Sequence, residues 1–199
     1  VAFGARFLDW LVPFVFRRHL DYGAIESLRE MKLLINRQVE LNDLHGDLKL
    51  GPGGIREIEF IAQAHQLIFG GTNEKLRERR LQTVLGIMAD EQLLPSNDVT
   101  LLTEAYVFLR NSEHAIQGEK DKQTQMLPVD TISQQRLAEV MGFADYDGYY
   151  DALQRQRTHV RECFGRFMQS SESEQEMLLE GDIFWPSIWR DPASDASLA

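Results

Sequence analysis

One cysteine, Cys163, stands among 199 residues, so the chain can close no internal disulfide and build no cysteine-based zinc site. That suits a reducing, cytoplasmic setting, with Cys163 expected in the core. No apolar run approaches the roughly 18 residues of a membrane span. The apolar stretch near the start is broken by Arg6, Asp9 and Pro13. Lacking a basic leader and a small-residue cleavage site, it does not read as a signal peptide. Positive charge is also scarce, for the net charge is −10, with +1 carried by residues 1–80 and −11 by residues 81–199. A general nucleic-acid surface is therefore not expected, and any anion site must be local. Strand alternation is missing too, apart from a hint of β character at 129–132.

What the chain has is helical spacing. Over residues 5–19, Phe7, Leu8, Leu11, Phe14 and Val15 share one face, with Pro13 as a kink and Arg17, Arg18 and His19 closing the helix. Asp21 is placed to cap a second helix reaching about Leu41, its buried stripe being Ile25, Leu28, Met31, Leu34 or Ile35, and Val39. Periodicity stops over residues 42–54 and resumes over 55–69, where Gly70-Gly71 ends it. Residues 73–80 read as a charged turn or short helix. Further helices are expected over 81–92, over 97–117 (Leu101, Ala105, Phe108, Leu109, Ser112, Ile116 inward), over 132–142 and over 146–168. Glu113-His114 reads as a surface pair, and His65, with no second ligand at i+4, as a polar-face or core histidine. The fold class expected is all-α, a bundle of six to eight helices without significant sheet, in residues 1–169. Residues 170–199, with seven acidic residues against Arg190 alone, read as an acidic linker ending in an aromatic cluster of Phe184, Trp185, Ile188 and Trp189. Val1 is not an initiator Met and helical spacing is already under way there, so a segment of a longer protein is expected.

The most distinctive stretch is Asp47-Leu-Lys49-Leu-Gly51-Pro-Gly53-Gly54-Ile-Arg56-Glu57-Ile-Glu59-Phe60, a glycine-rich loop running straight into a helix. Glycines let a backbone approach a ligand closely, a helix start offers unpaired N–H donors, and Lys49 and Arg56 bracket the site with positive charge. An anion site is one reading; a structural turn is the other. Glu57 and Glu59 also have a bland explanation, since carboxylates suit the first turn of a helix. The stretch is neither a Walker loop, which needs Gly-Lys followed by Ser or Thr, nor a dinucleotide fingerprint, which needs a preceding strand.

Taken whole, the pattern is more specific. Lys49-x-Gly51-x-Gly-Gly-Ile-Arg-Glu-Ile-Glu-Phe, then Gln63, Gln66-Leu67 and Gly70-Gly71, Ala105-Tyr106-x-Phe108-Leu109-Arg110-x-x-Glu113, Gln125-x-Leu127-Pro128, and Leu137-Ala138-x-x-Met141-Gly142, resembles the bacterial glutamine synthetase adenylyltransferase/adenylyl-removing enzymes over residues 5–168. The resemblance implies a helical domain following a nucleotidyltransferase domain, in the N-terminal half that removes AMP from a glutamine synthetase tyrosine by phosphorolysis. It also implies an ATP-binding, magnesium-dependent enzyme as a whole.

The same resemblance exposes what is missing. Family catalysis uses a Gly-Ser motif followed by Asp-x-Asp, whose carboxylates hold divalent metal at the phosphates. No Gly-Ser dipeptide occurs, and the one Asp-x-Asp, Asp145-Tyr-Asp147, reads as a helix cap. No catalytic residue and no bound metal are therefore expected in this chain, which alone should be inert. Lys49, Gly51, Gly53, Gly54, Arg56, Glu57 and Glu59 are candidates for holding phosphate or nucleotide, with Glu57 or Glu59 orienting Arg56; the rival reading is that they clamp two domains together. The loop is then expected to stand empty and facing solvent. Glutamine synthetase, a PII signalling protein and an upstream nucleotidyltransferase domain are the partners implied, and a non-catalytic interaction module is the alternative function. The related PII uridylyltransferases share a similar glycine motif, but a downstream His-Asp motif would be expected there, and no His-Asp dipeptide occurs.

Overall fold

In a computed structural model the chain is described at residues 2–16, at 27, 30, 31, 33, 34, 37, 39 and 41, and at 42–120 and 124–180. Among these residues six α-helices follow in order: α1 (Ala2–Val15), α2 (Ile55–Phe69), α3 (Leu81–Asp90), α4 (Ser96–Lys120), α5 (Thr131–Val140) and α6 (Tyr146–Glu180). Two short 3-10 turns, Leu44–Gly46 and Glu74–Arg77, punctuate the connections. The described residues contain no strand, only an isolated bridge between Asp47 and Met126. The hint of β character at 129–132 gives way to a helix start, because Asp130 Oδ1 accepts from Ser133 N at 2.9 Å and caps α5. Asp145 likewise caps α6, its Oδ1 accepting from Gly148 N at 2.8 Å.

Helix α6 runs on through Glu180, past the end expected at Met168. Between Gly165 and Gly181 the chain has neither glycine nor proline and is rich in Glu, Gln, Met and Leu, which favour helix. The aromatic cluster at 184–189 and Asp21, the expected second cap, lie outside the described residues.

Helices α4 and α6 pack along each other, and α2 lies against both. Ile55, Ile58 and Ile61 of α2, Leu102 and Leu109 of α4, and Leu153 and Val160 of α6 are all fully buried. Each such side chain contributes about 1.5–3 kcal/mol of transfer free energy. Phe60 meets Phe164 edge-on at 5.5 Å, fixing α2 against α6. At the other end Phe108, Phe143 and Tyr149 form a ring cluster at 5.8–6.3 Å that joins α4, α6 and the turn between α5 and α6.

Some residues expected inside are outside. Of the stripe expected to be buried in the second helix, Met31 and Leu34 are exposed while Val39 is buried; on α4 Leu102 rather than Leu101 takes the core position, and the shared apolar face of α1 leaves Phe7, Phe14 and Val15 exposed. An apolar stripe becomes core only where another element covers it, and none of the described elements covers these.

Candidate functional site

Asp47 organises the glycine loop from its first residue. Its Oδ1 accepts from the backbone N–H groups of Lys49 at 2.8 Å and Leu50 at 2.7 Å, which turns the chain. Gly51 N then donates to Asp47 O at 3.1 Å and Gly54 N to Gly51 O at 3.0 Å. At the start of α2, Ile55 N donates to Leu48 O, Arg56 N to Lys49 O and Glu57 N to Gly54 O, at 3.0–3.1 Å. The N–H donors that the sequence suggested would be unpaired are thus taken by the loop's own carbonyls. Nor does the loop stand open, for Asp47, Leu48, Gly51, Gly53 and Gly54 are buried. On its other side Leu48 N donates to Gln125 O and Leu127 N to Gly46 O, so the Gln125-x-Leu127-Pro128 motif lies beside it.

Three glycines have no substitute here, Gly51 because a Cβ on it would collide with the backbone oxygens of Asp47 and Leu44. Gly53 has φ +68°, a left-handed conformation, and a Cβ on it would collide with the main chain of Arg157. A Cβ on Gly54 would stand 2.7 Å from Gly51 O and 2.8 Å from both Leu48 O and Lys49 O. The residue that closes the arrangement is Arg157 of α6, which sequence reading missed. It is 4% exposed, and its guanidinium donates from Nη1 to His45 O at 2.7 Å and from Nη2 to Asp47 O at 2.6 Å. Burial pushes its pKa below the usual guanidinium range. Nothing in the local sequence marks it, since its partners are carbonyls more than a hundred residues away.

A second centre lies along α2. Arg110 of α4 donates from Nη2 to Glu59 Oε1 at 2.7 Å and from Nη1 to Glu113 Oε2 at 2.8 Å, and its Nε reaches Tyr106 Oη at 3.2 Å. Its Cζ also stands 5.3 Å from the Tyr106 ring centroid. Burial works against this charge, but the bonds to Glu113 and Tyr106 outweigh it and hold the Arg110 pKa above its ordinary value. Glu113 is only 4% exposed, so it is no surface residue; its partner is Arg110, while His114 faces outward. Glu59 is committed to Arg110 on another helix. The candidates Lys49 and Arg56 meet through the bond between their main chains, which brings two cationic side chains to the same end of α2.

His65 is a core histidine, its Nδ1 2.8 Å from Ile61 O and its ring 4.8 Å from Phe167. Cys163 is buried, and loss of solvent pushes its thiol up to about 11. Among the described residues no group of three or more His, Cys, Asp or Glu side chains is arranged to hold a metal ion. Asp145 of the one Asp-x-Asp caps α6 through Oδ1, as read from the sequence. No described helix is long and apolar enough to cross a membrane.

The helices are thus gathered on the Gly-Gly-Ile-Arg-Glu-Ile-Glu-Phe stretch, with Arg110 tying α2 to α4. The chain belongs to the GlnD PII-uridylyltransferase family, whose model matches residues 29–168. It is 45% identical over 197 residues to the bifunctional glutamine synthetase adenylyltransferase/adenylyl-removing enzyme of Pseudomonas syringae pv. tomato, covering 96% of this chain and 20% of that protein. The enzymes of the same description from Pseudomonas putida and Hahella chejuensis are 43% and 41% identical, over 100% and 98% of this chain and 20% and 21% of theirs. The chain therefore spans about a fifth of the length of these curated relatives, and the resemblance read from its motifs holds across nearly all of it.

Proposed function

We propose that this chain is the helical part of the adenylyl-removing half of an enzyme that regulates glutamine synthetase by reversible adenylylation. In this reading it supports release of AMP from a glutamine synthetase tyrosine by phosphorolysis and is not catalytic alone. The observation that carries the reading is the junction itself. The motif shared with the adenylyl-removing enzymes is a rigid, self-bonded loop that carries Lys49 and Arg56 at one end of α2. With the N–H groups of Gly51, Gly54, Ile55, Arg56 and Glu57 occupied, phosphate contact falls chiefly to those two side chains. Glycines 51, 53 and 54 then serve to shape the rim, and Glu59 to fix α2 through Arg110. Magnesium, where the whole enzyme uses it, would be held by carboxylates of another domain, since the described residues offer no fitting set. Glutamine synthetase and a PII signalling protein are the partners this reading implies, in the cytoplasm.

The test is phosphorolysis of adenylylated glutamine synthetase by the full-length enzyme carrying Lys49→Ala or Arg56→Ala. A raised KM for phosphate or a slowed release of AMP, at unchanged melting temperature, is expected. Unchanged phosphate dependence and rate with a lowered melting temperature would leave these residues only the clamping role.

A further inference from the structure

An open cleft of about 560 Å³ lies between α2, the turn that enters α3 with its first residues, and Tyr106 of α4. Glu59, Gln63 and Gln66 form one wall, Arg79 and Arg80 the opposite rim. That is a volume suited to a small organic ligand.

The turn carrying the two arginines is built stiff. Gln66 Nε2 donates to Leu76 O at 2.6 Å and to Glu78 O at 2.7 Å, anchoring the segment to α2. The Glu78 carboxylate accepts through Oε1 from Arg79 N at 2.7 Å and Arg80 N at 3.1 Å. Those backbone bonds hold its pKa below the ordinary carboxylate range. That carboxylate is therefore engaged with the backbone, and its contact with the Arg80 guanidinium is long, at 3.5 Å.

Three arginines stand within four positions, and they are used differently. Arg77 is saturated: it bonds Gly70 O and Gly71 O, pairs with Glu74 at 3.0 Å and lies 5.6 Å from the Phe16 ring centroid. Arg79 has no ion pair among the described residues, and Arg80 has only the long one; both are exposed. The one carboxylate in the facing wall, Glu59, is paired with Arg110 at 2.7 Å, a guanidinium it shares with Glu113. In a chain of net charge −10, two adjacent and underused guanidiniums on a pre-ordered turn form a local electropositive rim.

We propose that this cleft binds a phosphorylated small molecule of about nucleotide size, its phosphate held by Arg79 and Arg80 and its neutral part lying against Gln63 and Tyr106. Guanidinium presents its donors in a fork that matches phosphate oxygens. The proposal does not rest on the function proposed above, because it concerns a cleft separate from the glycine loop.

The test is calorimetric titration of the complete chain with AMP, with inorganic phosphate and with adenosine, at fixed ionic strength. Saturable binding of AMP, with adenosine weaker by about tenfold or more, is expected, and the Arg79→Gln/Arg80→Gln double variant should weaken AMP by about tenfold or more at unchanged melting temperature. AMP tighter than phosphate supports a contact for the neutral part; phosphate binding as well as AMP overturns the assignment of a nucleotide-sized ligand. Absence of saturable binding by both anions, equal binding of adenosine and AMP, or a double variant that binds like the parent overturns the proposal. So does an equal loss in Arg155→Gln/Arg161→Gln, which removes two exposed charges of α6 and should change nothing.

Discussion

Gly53 and Arg157 hold each other in register. The Gly53 main chain at φ +68° lies so close to that of Arg157 that no Cβ fits between them, while the Arg157 guanidinium reaches back to Asp47 O at 2.6 Å, six residues before Gly53. The loop and α6 are thus joined twice, once by close backbone contact and once by a buried cation on carbonyls.

Gly53→Ala meets both a left-handed φ, costing about 1–2 kcal/mol, and a backbone collision that a side-chain shift cannot relieve. A loss of about 3 kcal/mol or more in urea unfolding is expected. Gly118→Ala is the contrast, since an added Cβ there meets nothing within 4 Å in an exposed part of α4. It should gain about 0.5–1 kcal/mol.

Arg157→Met keeps much of the aliphatic packing and removes the charged donors to His45 O and Asp47 O, the latter keeping its bond from Gly51 N. With hydrogen bonds to a charged group worth about 1.5–3 kcal/mol, a loss of about 2–4 kcal/mol is expected. Arg157→Lys should recover part of it, because an ammonium reaches one carbonyl but lacks the fork for two. Equal stability of parent and both variants in chemical denaturation would refute the clamp.

The Arg110 centre can be apportioned by double-mutant cycles. Arg110 with Glu113 and Arg110 with Glu59 should each show coupling of about 0.5–3 kcal/mol, the larger for Glu113. Glu113 is the more deeply buried carboxylate, with a side chain 5% exposed against 29% for Glu59, so it has less water to fall back on. Coupling energies in the reverse order, measured from thermal or urea unfolding, would contradict this geometry.

Alkaline pH should unfold the chain partly through Tyr149. Burial raises its pKa to about 12, against about 10 when unfolded. Above pH 10 the unfolded chain loses the proton and the folded one keeps it, so the stability contribution is intact below pH 10 and falls as pH rises towards 12. The full change is roughly 2–3 kcal/mol. Tyr149→Phe should flatten the difference in unfolding free energy between pH 9 and pH 11 relative to the parent.

The glycine loop shows how far reading the residues goes. Helical spacing, capping residues and the halt in periodicity over 42–54 placed α2, α4, α5 and the start of α6 to within a few residues, because these depend on neighbours within a turn or two of chain. The motif itself was equally legible, and with it the family. Whether Ile55, Arg56 and Glu57 offered free N–H groups was not legible, because Leu48 O and Lys49 O come round to meet them only once Asp47 has turned the chain. Glu113 read as a surface residue because its pairing with Arg110 inside the bundle leaves no mark in the sequence, and Met31 and Leu34 read as buried although no described element covers them.

By itself the sequence determined an all-α chain, Cys163 in its core, and a glycine loop feeding α2, since periodicity, propensity and composition act locally along the backbone. Tertiary structure alone decided that Arg157 grips that loop, that Glu59 answers to Arg110 and that Arg79 and Arg80 are left underused beside a cleft. Each of these depends on which distant carbonyl or carboxylate packing brings within 3 Å, and no spacing in the sequence carries that information.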